Sequence, residues 1–223
     1  RQHPSWIKFI EIARQLGTPL VFRMNLNQQS NAETWDWHKR LLDSFPPIVD
    51  CGVHYVDVMC QMTRARPTAV HAIGARLTEE VAQQNYGMLQ VTFDDGSVGW
   101  YEAGWGPMMS ETAFFVKDVI GPKGSVSIVM AETVGDVASD DINAHTKTNQ
   151  ILWHHTDMSK PDERIDMADE PDHDELCERE QRFLLDAIDN DIDLSDHMDD
   201  AVKSLQIVSA ADLSIHERRI IEL

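Results

Sequence analysis

Apolar residues recur with a helical period at both ends of this chain and with a period of two through its middle. Trp6, Ile10, Ala13 and Leu16 share a helical face. Pro4 suits the first turn and Gly17 the end, so residues 4–16 are predicted to form a helix. Leu20, Phe22, Met24 and Leu26 then alternate with Val21, Arg23, Asn25 and Asn27, the pattern of a half-buried strand. Residues 28–47 follow neither period and read as a long loop carrying Trp35, Trp37 and His38, of a length that often serves function. A helix is expected over 48–62. Strands are expected over 68–77, 86–94, 97–105, 112–120, 125–130 and 151–155. Asp94-Asp95-Gly96-Ser97 and the segment 121–124 supply hairpin turns. Residues 131–150 are polar and weakly patterned, with room for an edge strand. Helical spacing returns over 172–189, with Leu176, Phe183, Leu184, Ala187 and Ile188 as the apolar face. It continues over 196–216, with Met198, Ala201, Val202, Leu205, Val208 and Leu213; residues 220–223 suit a last strand.

Consecutive hairpin-linked strands with only three or four helices predict an α+β fold. The expected architecture is an open, mostly antiparallel sheet with helices packed on one face. Trp100 and Trp105 fall on opposite faces of their strand by parity. The uncovered face is then partly apolar and suits an oligomer interface. A length of 223 residues fits one domain with a sizeable core, and no internal repeat stands out.

The balance of 38 acidic against 19 basic residues gives a net charge of −19. That argues against nucleic acid or an anionic membrane as partner, since both demand a basic face. Much of the excess lies within residues 157–180, read as a solvated linker leading into a helix, and 186–200. Cys51, Cys60 and Cys177 form no Cys-x-x-Cys pair, which suits a reducing compartment and a cytoplasmic location. No run of about 18 apolar residues suggests a membrane span.

The richest chemistry lies in Asp50-Cys51-Gly52-Val53-His54-Tyr55-Val56-Asp57. Asp50, His54 and Asp57 stand at relative positions 0, 4 and 7, one face of a helix. An imidazole titrates near neutrality and a neighbouring carboxylate tunes it, so the group suits general acid/base work. The same spacing equally suits a structural His–Asp pair. Ligation of a metal by these residues is disfavoured, because no second His lies nearby in sequence. His154 and His155 face opposite sides of a strand and chelate poorly. Asp172-His173-Asp174 reads as a helix N-terminus. Trp35 and Trp37 could stack on a sugar ring or anchor a loop. No Gly-x-Ser-x-Gly is present to support a nucleophile.

The segment resembles the Asp-x-Gly-x-His-x-x-Asp motif of the glucose–fructose oxidoreductase / inositol dehydrogenase (Gfo/Idh/MocA) family. Arg1-Gln2-His3-Pro4 with its helix and Gly17-Thr18-Pro19-Leu20 resembles that family's passage out of its nucleotide domain. Gly121-Pro122-Lys123-Gly124-Ser125 is similar to its hairpin turn, and 201–215 to its last helix. Two features depart from the family. Ser44-Phe45-Pro46-Pro47 replaces a glycine-rich run before the Asp. Neither Gly-x-Gly-x-x-Gly nor Glu-Lys-Pro, which carry the dinucleotide phosphates and the catalytic lysine, is present. The resemblance therefore implies that residues 1–223 are the C-terminal substrate-binding and oligomerisation domain, with residues 1–18 a linker helix from an N-terminal nucleotide-binding domain. It implies an NAD(P)-dependent oxidoreductase of a sugar, cyclic polyol or related hydroxy compound. His54 is expected as acid/base and Asp50 as its orienting partner and substrate ligand, with Trp35 and Trp37 beside the substrate. NAD or NADP is expected to bind the full-length protein and not this chain, which alone is expected to be inactive. Asp57 is expected to be structural. The alternatives are a non-enzymatic binding or regulatory relative on the same scaffold, or a metal-dependent hydrolase or isomerase.

Overall fold

The computed structural model describes residues 1–111, 115–129, 138–141, 148–167 and 169–223. Its strands are β1 (Val21–Gln28), β2 (Pro67–Ala75), β3 (Tyr86–Phe93), β4 (Val98–Trp105), β5 (Phe115–Gly121), β6 (Gly124–Val129), β7 (Gln150–His155), β8 (Glu163–Asp166) and β9 (Ile221–Glu222). They form one sheet in the order β8-β7-β6-β5-β1-β4-β3-β2-β9. Only β1 and β4 pair in parallel; every other neighbour is antiparallel. The described helices are α1 (Pro4–Ala13), α2 (Ala32–Leu42), α3 (Pro47–Asp50), α4 (Gly52–Thr63), α5 (His173–Asp189) and α6 (Ser195–Glu217). The expected open α+β architecture is what the chain adopts.

Strand parity decides which face is covered. Phe22, Met24, Leu89, Val91, Tyr101 and Val119 point to one side and are buried beneath the helices. Contact is closest where side chains vanish. A Cβ on Gly99 of β4 would lie 2.6 Å from the Met59 sulfur of α4. One on Gly52 would lie 3.3 Å from both the Tyr101 ring on β4 and Val208 of α6. These glycines let α4 sit directly on the sheet with α6 against it. Residues of opposite parity, among them Arg23, Val98 and Ile120, remain on the open face.

Several local expectations are corrected. Residues 28–47 are not a loop throughout, because α2 occupies 32–42. Trp35, His38 and Leu42 are its buried face at spacings of three and four, and the polar His38 hid that period. Glu33 in its first turn and Lys39 and Arg40 in its last suit the helix dipole. The acidic stretch after 157 is not wholly a linker, since Glu163–Asp166 adds the edge strand β8, whose charges protect an exposed edge. The helix expected over 48–62 is divided at Cys51 into α3 and α4. The apolar stripes read as core faces of the last two helices are mostly exposed: α5 buries only Ala187. In α6, Met198, Val202, Leu205 and Leu213 face outward, while Val208 is buried. Residues 112–114 and 130 of two expected strands, and most of 131–150, lie outside the described residues.

A polar clamp fixes α1, α4 and α6 together. The Arg1 guanidinium pairs with Asp57 of α4 and lies 3.3 Å from Asp200 of α6. Arg64, just past α4, approaches Asp200 at 3.1 Å, and Gln61 donates to Asp57 at 2.7 Å. Asp200 is buried, and removing its carboxylate takes one of two partners from Arg1 and the nearer of two from Arg64, whose other is Asp196 at 3.9 Å. We expect Asp200→Ala to cost about 2–3 kcal/mol of stability, read by urea denaturation. A change under about 0.5 kcal/mol would show that the clamp contributes little.

Candidate functional site

Pro46 and Pro47 set where the site begins. Pro46 stands in extended backbone before α3 and Pro47 takes its first position, where a missing N–H costs nothing. This is how the chain builds the helix start without the family's glycine run. Cys51 stays in the right-handed helical region. Its N–H donates to the Pro47 carbonyl at 3.1 Å, four residues back. The His54 N–H donates to the Cys51 carbonyl at 3.3 Å, three residues back. That tightening is the bend between α3 and α4.

Beneath the bend lies a floor of buried groups. The Cys51 thiol points at Gln28 Oε1 at 3.8 Å, and the same oxygen accepts from the Trp105 indole at 2.8 Å. Trp105 stacks on His38 of α2, with ring centroids 4.5 Å apart and planes 4° from parallel. Tyr55 stacks on Tyr101 at 4.8 Å. Lys117 of β5 lies 4.6 Å above the Tyr55 ring and donates to the Asn25 carbonyl. Burial pushes the Cys51 thiol and the Tyr55 and Tyr101 phenols far above their ordinary values, and lowers the Lys117 amine well below its own. Burial therefore disfavours charge throughout the floor, and Cys51 is a packed thiol rather than a nucleophile.

Asp50 and His54 stand above this floor and are exposed. They make no hydrogen bond to each other. Asp50 meets only the thiol of Cys51, at 3.9 Å, and the His54 imidazole has no partner among the described residues. Asp57 instead turns into the clamp with Arg1. The stripe at positions 0, 4 and 7 thus divides into two unengaged polar groups and one engaged in structure. Trp35 is buried in the core, its indole donating to Glu80 at 3.3 Å, whereas Trp37 is exposed. His154 and His155 hold separate carboxylates, Asp162 and Glu163, each at 2.7 Å. Asp172 caps α5 by accepting from the Glu175 N–H at 2.9 Å. Among the described residues, no three His, Cys, Asp or Glu side chains gather in a way that could hold a metal ion, and no helix is long and apolar enough to cross a membrane.

The family profile described as the GFO/IDH/MocA C-terminal domain matches residues 11–127, more than half of the chain and the whole of the segment just built. The chain belongs to this family. No curated protein sequence matches it. Solved structures share its fold. An oxidoreductase from Agrobacterium radiobacter, in complex with NAD+, L-tartaric acid and magnesium, superposes with a TM-score of 0.74 at 12% identity over 100% of this chain and 62% of that one. Aldose-aldose oxidoreductase from Caulobacter crescentus, complexed with glycerol, gives 0.69 at 17% identity over 98% and 60%. The WlbA dehydrogenase from Bordetella pertussis, in complex with NADH and UDP-GlcNAcA, gives 0.65 at 14% identity over 98% and 60%. The chain therefore spans about three fifths of the length of these oxidoreductases.

Two features beneath and behind the site escaped the sequence reading. Lys117 shares the parity of Val119, which marks it as inward-facing. On the open face, Asn25 and Tyr86 converge on Glu102 at 3.3 and 3.1 Å, with Asn27 beside them; the alternation of β1 had suggested plain solvent exposure there.

Lys117 yields a pH prediction. An amine whose folded-state pKa lies below its unfolded value binds fewer protons folded than unfolded. It destabilises the fold most at pH below the folded value and not at all above the unfolded one. The stability of the wild type relative to Lys117→Met is therefore expected to rise as pH goes from 7 to 10, measured by urea denaturation at each pH. Comparing the two proteins cancels the opposite trend from the buried thiols and phenols. A difference that stays flat would mean that Lys117 is charged in the folded chain.

Proposed function

We propose that this chain is the substrate side of an NAD(P)-dependent oxidoreductase acting on a sugar, cyclic polyol or related hydroxy compound. The observation that carries this reading is the pair Asp50 and His54, raised on the α3–α4 bend, exposed, and, among the described residues, unengaged by other side chains apart from the Cys51 thiol beside Asp50. A merely structural pair would be satisfied within the chain. The relatives' ligands support the same class: glycerol in one and a nucleotide sugar in another.

In this reading His54 accepts the proton of the substrate hydroxyl as the carbonyl forms. Asp50 accepts a hydrogen bond from a substrate hydroxyl and, once substrate draws the two together, orients the imidazole. Trp37 offers its exposed ring to the substrate's C–H face; Trp35 supports α2 from the core. The floor of Tyr55, Tyr101, Cys51 and Lys117, where burial disfavours charge, holds the bend. A carboxylate and an imidazole suit a hydroxy substrate; dinucleotide phosphates want a glycine loop and a row of backbone amides, so NAD or NADP belongs to the segment that the relatives have beyond this match. Nicotinamide bound there would accept the hydride. This chain alone would bind neither NAD nor NADP and would be inactive, within a cytoplasmic enzyme. The open sheet face, with a depression of about 590 Å³ bounded by Val21, Arg23, Gln90, Val98 and Trp100, would join two copies as a homo-oligomer.

In the longer protein, His54→Ala is expected to lower kcat by about 10²–10⁴-fold with an unchanged melting temperature. Asp57→Asn is expected to lower the melting temperature with far less effect on kcat. Turnover and thermal denaturation of both variants, using a panel of aldoses, cyclic polyols and nucleotide sugars, check this. Near-normal kcat in His54→Ala would remove the acid/base role.

A further inference from the structure

Lysines on the surface of this acidic chain mostly hold a carboxylate. Lys8 meets Glu11, Lys39 meets Asp36 and Glu80, and Lys203 meets Asp199. Lys123 and Lys160 are exposed, and neither has a carboxylate within ion-pair distance among the described residues. Both line one cavity of about 460 Å³, between the turn that joins β5 to β6 and the loop that joins β7 to β8. It lies on the helix side of the sheet, because Trp153 and His155, which also line it, share the parity of the buried Ile151. The strand order puts β7 four steps from β4, on which the Asp50–His54 bend rests, at about 4.8 Å a step.

Both lysines are carried by fixed turns. The Lys123 N–H donates to the Leu16 carbonyl at 2.9 Å, and the Lys123 carbonyl accepts from the Thr156 N–H at 3.0 Å. The Lys160 N–H donates to the Asp157 carbonyl at 2.9 Å. The carboxylates that line the cavity are already engaged. Glu163 holds His155 at 2.7 Å, and Asp157 accepts from the Ser159 N–H and hydroxyl at 3.0 and 2.7 Å. Trp153 supplies an aromatic wall. Its indole N–H is buried and has no acceptor among the described residues, a state in which few buried donors are left. Two unengaged ammonium groups beside an aromatic wall suit an anion with an apolar or planar body. We propose that this cavity binds a small organic phosphate, its head between the Lys123 and Lys160 ammonium groups and its body against Trp153. A phosphate monoester carries close to two negative charges at neutral pH, one for each ammonium, where a carboxylate would answer only one. The volume falls within the range of small-molecule sites. This ligand is additional to the hydroxy substrate proposed above, and its site does not depend on that reading.

The test is calorimetric titration of this chain with phenyl phosphate, which joins a phosphate head to a planar body and is neither a polyol nor a dinucleotide. The Kd is expected at about 1 mM or below, with inorganic phosphate binding at least tenfold more weakly. Lys123→Gln combined with Lys160→Gln is expected to raise the Kd at least tenfold and to leave the melting temperature unchanged, since both side chains are exposed. Lys8→Gln and His54→Ala are expected to leave the Kd unchanged. Absence of saturable binding would overturn the proposal. So would binding that survives the paired lysine substitution, or binding lost in His54→Ala, which would assign the ligand to the Asp50–His54 bend. Inorganic phosphate binding as tightly as phenyl phosphate would overturn the part given to Trp153. Glucose 6-phosphate and adenosine monophosphate, titrated into the wild type and the paired variant, tell a sugar body from a nucleoside one: the body that fits is the one whose affinity falls with the substitution. Binding of both with affinities that the substitution leaves unchanged would count against the cavity.

Discussion

The seating of α4 on β4 beneath α6 is the constraint from which the rest follows. A single open sheet must bury one apolar face, and here the cover is brought close by glycines, Gly99 on the strand and Gly52 at the start of the helix. With α4 resting on Tyr101 and seating its Met59 over Gly99, held from the side by Val208 and at its far end by the Arg1–Asp57–Asp200–Arg64 clamp, the chain entering it has little freedom. Pro46 and Pro47 then decide where α3 starts, and Cys51 where it bends. Asp50 and His54 are placed by these contacts rather than by each other.

Burial and exposure divide the labour of one short segment. Cys51, Tyr55 and Val56 point down into a buried floor, in which burial favours the protonated thiol and phenols and disfavours charge on Lys117. Asp57 neutralises Arg1. That leaves a carboxylate and an imidazole exposed on the outer side of the bend. An internal pair would be rigid and finished; two unengaged groups can still be organised by a bound molecule. Membership of the GFO/IDH/MocA C-terminal domain family gives this arrangement a chemical context.

Much of this was legible in residue order. Parity separated the two faces of β1 and set Trp100 and Trp105 on opposite faces of β4, because strand geometry leaves no third choice; the fold decided that Trp105 is the inward one. The strand series predicted the open, mostly antiparallel sheet. The spacing of Asp50, His54 and Asp57 singled out the candidate segment, though spacing could not say that Asp57 would be claimed by a residue 56 positions away. Helix α2 was missed because one of its buried positions is a histidine satisfied by stacking on Trp105, a contact that hydropathy does not register. The stripes of α5 and α6 misled in the opposite sense. Their periodicity was real, but the surface it describes faces away from this chain's own core. Lys117 was passed over because a charged residue at an inward position looks like an error until its amine is seen above Tyr55.

The central claim is that His54 moves a proton rather than holding a shape. Chemical rescue tests it directly. In the longer protein carrying His54→Ala, hydride transfer from an oxidisable sugar or polyol would be followed through the reduced nicotinamide while imidazole is added at fixed pH. The account predicts a rate that climbs with the concentration of neutral imidazole, with no effect on the wild type. A rate indifferent to imidazole, in a variant that still binds substrate, would contradict it.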